Sequence, residues 1–150
     1  MAQQQISLSD LDINQLGEIK KQFEEELNHL TNSFAQLKQA QAKFKACIEN
    51  VAEIKPQNKN NTILVPLTNS LYVPGKLSDT EHVLVDVGTG YFVQKTRPQA
   101  TKYYQAKVDY LQKNLETLED TVQKKRDNMS AVVNVIQVKL QEQTKNAAKA

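Results

Sequence analysis

The residues that could do chemistry in this chain are few and widely spaced. The single cysteine, Cys47, has no histidine beside it in sequence, and its neighbour Ile48 lies on an apolar helix stripe. It reads as a small, sheltered apolar residue, since a nucleophilic thiol needs a neighbour that lowers its pKa. His29 and His82 have no Cys or second His at ligand spacing, so no metal set forms around either. Gly88-Thr89-Gly90 lacks the third glycine and the following helix of a dinucleotide loop, and no Gly-Lys-Ser/Thr phosphate loop occurs. Acidic residues are dispersed along polar faces, as on solvated helices. The expectation is a protein that is not an enzyme, with no catalytic residue, no metal and no cofactor.

Lys124-Lys125-Arg126 is the one basic cluster. Phosphate tracking takes a longer basic stripe, so the cluster reads as a solvated face. Lys and Arg number 19 against 17 Asp and Glu, a net charge of +2, and residues 96–150 hold ten basic and six acidic side chains. That excess is too small to imply a nucleic-acid or membrane partner. The richest apolar run, Ala131-Val-Val-Asn-Val-Ile-Gln-Val138, is too short and too polar to span a bilayer. The start, Met1-Ala-Gln-Gln-Gln-Ile-Ser7, has neither the basic nor the apolar region of a signal peptide. One cysteine forbids an intrachain disulfide and fits a reducing compartment.

With 150 residues the chain is read as a single domain, residues 1–150. Charged residues make up 24%, hydrophobic ones 39% and aromatic ones 6%, with no Trp. That is thin material for a compact core and suits long exposed helices. Residues 1–11 show no strong period and form a loose lead-in. Asp12 with Gln15 makes a capping box. From there Leu16, Ile19, Phe23, Leu27, Leu30, Phe34, Leu37, Phe44, Ile48 and Val51 recur by threes and fours, with Gln41 in the one gap. This is the narrow seam of a coiled coil, and it predicts a helix over 13–54, ~60 Å long at ~1.5 Å per residue. Thr96 and Gln99 form a second capping box, with Pro98 in the first turn. The second seam is Tyr104, Val108, Leu111, Leu115, Leu118, Val122, Met129, Val132, Ile136 and Leu140, with Lys125 in its gap as a register-setting residue. It predicts a helix over 97–144, ~70 Å long, with a fraying tail from Lys145.

Between the helices the chemistry changes. Lys55-Pro56 and the Asn cluster at 58–61 end the first helix. Residues 63–66, 71–73, 82–87 and 91–95 read as short strands, the last two joined by the Gly88-Thr89-Gly90 turn. Pro66 and Pro74 belong at edges or strand ends. The fold class is therefore α+β, mostly α: an antiparallel two-helix coiled coil joined by two β-hairpins over about 62–95. The fold-back sets Val51 near Tyr104 and Leu16 near Leu140.

Four short strands alone hold too little apolar surface, so the sheet is expected to continue across other chains, and the isolated chain to self-associate. The residues expected to carry that assembly are Ile63, Leu64, Val65, Leu67, Leu71, Tyr72, Val73, Val83, Val85, Val87, Tyr91, Phe92 and Val93. A second apolar group lies at the other end of the helices: Ile6, Leu8, Leu11, Ile13 and Leu16 on one, and Val132, Val133, Val135, Ile136, Val138 and Leu140 on the other. Val133, Val135 and Val138 exceed what one seam needs. Two readings stand, ordinary end packing and an apolar tip that grips exposed hydrophobic segments.

The runs Leu64-Val-Pro-Leu-Thr-Asn-Ser-Leu-Tyr-Val-Pro-Gly-Lys-Leu77 and His82-Val-Leu-Val-Asp-Val-Gly-Thr-Gly-Tyr-Phe-Val-Gln-Lys-Thr96 resemble the double-hairpin core of alpha-class prefoldin subunits. Ala35-Gln-Leu-Lys38 and the long second helix are also similar, and the likeness covers about residues 10–145. It implies a hetero-hexamer in which this chain joins one other alpha-type and four beta-type subunits, with hairpins from all six completing a β-barrel body. It further implies an ATP-independent cytoplasmic chaperone, also present in the nucleus. Such a chaperone holds unfolded actin and tubulin between its helix tips and delivers them to the cytosolic chaperonin. The family has no catalytic residues to carry over. A structural coiled-coil scaffold or adaptor with inert tips, and a transcription-associated role through the basic C-terminal third, are the competing readings.

Overall fold

The computed structural model describes residues 8–147. A 3-10 turn, Leu8–Asp10, leads into helix α1 (Ile13–Glu53). A second 3-10 turn, Pro56–Asn58, precedes four strands: β1 (Thr62–Pro66), β2 (Tyr72–Lys76), β3 (His82–Gly88) and β4 (Tyr91–Thr96). Helix α2 (Arg97–Ala147) follows at once. The order of elements is the one the sequence pattern predicts.

Both helices begin at the expected capping boxes. The Asp12 N–H donates to Gln15 Oε1 at 3.0 Å and the Gln15 N–H donates to Asp12 Oδ1 at 2.7 Å. At α2 the Thr96 N–H donates to Gln99 Oε1 (3.1 Å), and the Gln99 N–H to Thr96 Oγ1 (3.4 Å). Each pair satisfies donors that a helix start leaves without intrahelical partners. Helix α1 stops where Pro56 begins the 3-10 turn, and Asn58 Nδ2 donates to the freed Glu53 carbonyl at 2.7 Å. Helix α2 runs past the predicted end at Thr144. Thr144 Oγ1 donates to the Leu140 and Gln141 carbonyls, and Lys145 sits in the last turn, where a cation suits the helix dipole. Loss of the seam therefore does not stop the helix there. The remainder of the expected fraying tail, 148–150, and the lead-in residues 1–7, Ile6 among them, lie outside the described residues.

The strands form two separate antiparallel hairpins, β1–β2 and β3–β4. Strand β2 extends to Lys76, beyond the predicted end at Val73. Pro74 is tolerated inside it, opposite Leu64, because in a two-stranded sheet every strand has a free edge. In β3–β4 the register slips between Asp86 and Gly88, so Val87 is an extra residue. Asp86 Oδ1 accepts the Gly88 N–H at 2.9 Å, and Thr89 (φ 50°) and Gly90 (φ 79°) close the turn in the left-handed region.

The chain forms two compact units, residues 38–112 and residues up to 37 with those from 113 onward. In the first, Val51 of α1, Val85 of β3 and Ala100 of α2 make a buried cluster, with Val83, Tyr103 and Tyr104 packed against it. Arg97 Nη1 donates to the Ile54 carbonyl at 2.6 Å, the Phe44 and Tyr104 rings lie 6.1 Å apart, and Gln41 Nε2 donates to Gln112 Oε1 at 2.9 Å. As residue number falls along α1 its partner's number rises along α2, so the helices run antiparallel. Gln41 is buried in the seam and its amide also reaches the Val108 carbonyl at 3.5 Å. Burial, with Cys47 beside it, pushes the Tyr104 hydroxyl above its ordinary pKa.

In the second unit, Lys125 occupies the seam gap. Its Nζ lies 2.5 Å from Glu26 Oε2 and 5.1 Å from the centroid of the Phe23 ring. One heptad away on each helix stand Leu16 and Val132, both fully buried. The expected pairing of Leu16 with Leu140 is therefore off by about a heptad, and Leu140 is exposed rather than sealed. The sequence reading matched the ends of the two seams, whereas the Lys125 layer fixes the register.

The hydrogen bond from Lys125, supported by one from Gln22, holds the Glu26 carboxyl below its ordinary pKa. A depressed carboxylate stabilises the fold above its unfolded pKa, about 4.3 for Glu, and that contribution is lost as pH falls through the lower folded value. Helix unfolding followed by circular dichroism from pH 6 downward should show this acid-sensitive loss. Glu26→Gln should flatten it; an unchanged acid profile in that variant would remove Glu26 from the register layer.

Candidate functional site: hairpin faces and helix ends

Hairpin β1–β2 has no buried side chain on either face. Ile63, Leu64, Val65, Leu67, Leu71, Tyr72 and Val73 are all exposed, Leu64 by 68%. On hairpin β3–β4, Val87, Tyr91, Phe92 and Val93 are exposed, Tyr91 by 72%. Eleven of the thirteen residues expected to carry assembly thus present apolar surface to solvent. Soluble chains do not leave so much contiguous apolar surface open without a partner. The backbone points the same way, since each two-stranded sheet leaves both outer edges unpaired.

The other two residues are placed differently. Val85 is fully buried and Val83 packs against its cluster, so both tie the hairpin to the chain's own helices. The reason is the period-2 alternation of a strand: Val83 and Val85 share the inward face, and Leu84 between them points outward, 70% exposed. The sequence reading took the valines as one surface and missed Leu84. The alternation His82-Val-Leu-Val-Asp86 carries the signal, because an apolar residue out of phase with two inward valines must stand on the outer face, here between His82 and Asp86. Tyr110 on α2, 65% exposed, was also missed.

The linker into β3 is held by Asp79. Its Oδ1 accepts the Glu81 and His82 N–H groups at 2.8 and 3.2 Å, and Oδ2 lies 3.1 Å from His82 Nδ1. These bonds, the Glu81 one foremost, hold the Asp79 carboxyl below its ordinary pKa. His82 thus has a structural neighbour, and Cys47 is a half-buried seam residue against Tyr104.

At the far helix ends the proposed tip residues split three ways. Leu16 and Val132 are sealed and belong to the seam, so they offer nothing to a client. Leu11, Ile13, Val133, Val135 and Ile136 are half-buried. Val138 and Leu140 are exposed, by 54% and 47%. Lys139 Nζ donates to the Ser9 carbonyl at 2.7 Å, and Val135, Val138, Lys139 and Glu142 line a shallow cleft with Ser9 and Asn134.

Paired long helices carrying two unfinished sheets define a coiled-coil assembly subunit. Comparison with known proteins makes this specific. The family model described as "Prefoldin subunit" matches residues 23–142. A probable prefoldin subunit 5 of Schizosaccharomyces pombe is 43% identical over 136 residues, 89% of this chain and 88% of that one. Prefoldin subunit 5 of Homo sapiens is 40% identical over 141 residues, covering 94% and 92%. A chain of the filamentous PFD structure from Methanocaldococcus jannaschii shares the fold, with a TM-score of 0.69 at 18% identity, covering 78% of this chain and 97% of that one. The chain belongs to the prefoldin family. It is a prefoldin-type chaperone subunit that associates with other prefoldin subunits, and it is similar to prefoldin subunit 5 over most of its length.

The two roles within β3 are separable. Val85→Ala should cost about 2 kcal/mol of stability, the range for a buried aliphatic truncation. Leu84→Ser should change stability by less than about 0.5 kcal/mol, yet lower the fraction that co-purifies with partner subunits. Urea unfolding and pull-down of co-expressed subunits read the two effects; equal stability losses would mean that Leu84 is not an outer-face residue.

Proposed function

We propose that this chain is one of two alpha-type arms in a hetero-hexamer with four beta-type subunits. Its hairpins complete a β-barrel with those of its neighbours. The observation that carries the reading is the pair of hairpins with free edges and apolar side chains on both faces. Closing a sheet across subunits removes the edges and buries those side chains in one step.

The helix ends then serve as holding tips for unfolded chains such as nascent actin and tubulin, which the complex passes to the cytosolic chaperonin without ATP. Weak apolar contacts from Val138, Leu140 and the half-buried residues around them, repeated over several arms, give avidity without a shaped pocket. The work takes place in the cytoplasm and also in the nucleus. Exposure of Val138 and Leu140 beyond the sealed Leu16–Val132 level favours this over a scaffold with inert tips.

A tagged copy purified from its own cell extract should give a native mass near six subunits, and the complex should suppress aggregation of unfolded actin. Val138→Ser with Leu140→Ser should leave that mass unchanged and weaken suppression several-fold. Undiminished suppression by the variant would favour the scaffold reading, and a monomeric wild type would overturn the hexamer.

A further inference from the structure

Tyr103 on α2 carries two ammonium groups on one ring. Lys95 Nζ lies 5.7 Å and Lys107 Nζ 5.5 Å from its centroid. Lys102 lines the same cleft of about 440 Å³, together with Gln94, Lys95, Gln99, Tyr103 and Ala106. The ring attracts each cation, but the cations repel one another. Among the described residues no carboxylate forms an ion pair with Lys95, Lys102 or Lys107. No Asp or Glu among the described residues lines the cleft. It is a positive cleft with an aromatic floor and no carboxylate in its lining.

The position of the cleft identifies its occupant. It is lined by residues of β4 and α2 and by none of β3, so it opens along the unpaired edge of β4. The register pairs Lys95 with Val83 and Val93 with Val85, so Lys95 stands on the face that turns toward the helices. The opposite face carries Leu84 and Phe92 together with their cross-strand partners Gln94 and Asp86, all exposed. A strand added along β4 would send alternate side chains to these two faces. Those facing the helices would meet Lys95, Lys102 and Tyr103, with Lys107 over the same ring, and those facing outward would lie along the mixed face of Leu84, Gln94, Asp86 and Phe92.

We propose that a strand of a neighbouring prefoldin subunit pairs with β4 and sets carboxylate side chains into the Lys95–Lys102–Tyr103 cleft beside Lys107, so that charge selects which subunit docks on this edge. The proposal rests on assembly through the hairpins and adds the chemistry of the neighbour: acidic on the side chains that face the helices. Backbone pairing is blind to sequence, so selection among similar subunits falls to side chains such as these.

The test uses the full chain co-expressed with the other subunits. Wild-type incorporation should weaken as salt rises from about 0.1 to about 1 M, where the screening length drops from ~10 Å to ~3 Å. Lys95→Glu with Lys107→Glu should reduce incorporation about tenfold or more at low salt, and Lys95→Gln with Lys107→Gln should fall between. Lys43→Glu with Lys45→Glu, on the exposed face of α1, should match wild type. Circular dichroism on each variant separates misfolding from lost docking, and the wild-type salt series needs no variant. Salt-insensitive wild-type assembly, or full incorporation of the Glu variant, overturns the proposal and includes the case in which the cleft serves an acidic protein outside the complex. A wild-type chain that joins no other subunit would instead overturn assembly itself.

Discussion

A pair of helices buries one stripe and nothing more. That constraint governs the rest of this chain. Each seam residue meets only its counterparts on the other helix, so no central core accumulates as residues are added. The fully sealed side chains are accordingly few and far apart: Leu16 and Val132 in one unit, Val85 with Val51 and Ala100 around it in the other. Whatever lies off the stripe stays in water unless another chain covers it. For polar helix faces this costs nothing. For the hairpins, apolar on both faces, it makes solitude unfavourable, and association with other prefoldin subunits is the physical completion of the fold.

A narrow seam also has a register problem. Apolar residues at regular spacing pack almost as well one heptad up or down, and the expected pairing of Leu16 with Leu140 was such a slip. Two polar positions resolve it. Gln41 is buried and satisfied only with the Val108 carbonyl and Gln112 across from it, and Lys125 finds Glu26 and the Phe23 ring. A shift by one heptad would leave a buried amide and a half-buried ammonium facing apolar neighbours, which costs more than the packing difference between registers. The interruptions in the two apolar patterns are therefore what makes the pairing unique.

Much of this was legible in the sequence because the signals were local. Capping boxes involve residues three apart, seams repeat every few residues, and Gly-rich turns announce themselves; the helix starts at Asp12 and Thr96 follow from such rules. What was not legible depended on contacts between distant elements. Val85 and Tyr91 look alike as apolar strand residues, yet the first is sealed by Val51 and Ala100 and the second is open. The end of α2 does not follow from loss of the seam, because backbone hydrogen bonding continues to Ala147 without an apolar stripe, with Lys145 in the last turn suiting the helix dipole. The helix tips were half legible. Excess valines marked the region, but only the register layer shows that Leu16 and Val132 close the seam while Val138 and Leu140 stay open.

That difference in closure bears on the function proposed above, in which one chain both assembles and holds a client. Assembly needs a fixed geometry, and β3 has it: Val83 and Val85 are clamped, so the outward Leu84 and Phe92 and the β4 edge are displayed at a set angle to the chain's own helices. Holding an unfolded chain needs the opposite, because a client of no fixed shape is met best by side chains free to change rotamer. Val138 and Leu140 have that freedom, standing past the last sealed level of the seam. Burying them permanently would stabilise the helix ends and remove the surface. The apolar residues of this chain thus divide by how tightly their surroundings hold them, rather than by type: clamped valines fix the hairpin to its own helices, and loosely held valine and leucine at the ends leave open the surface that the proposed holding role requires.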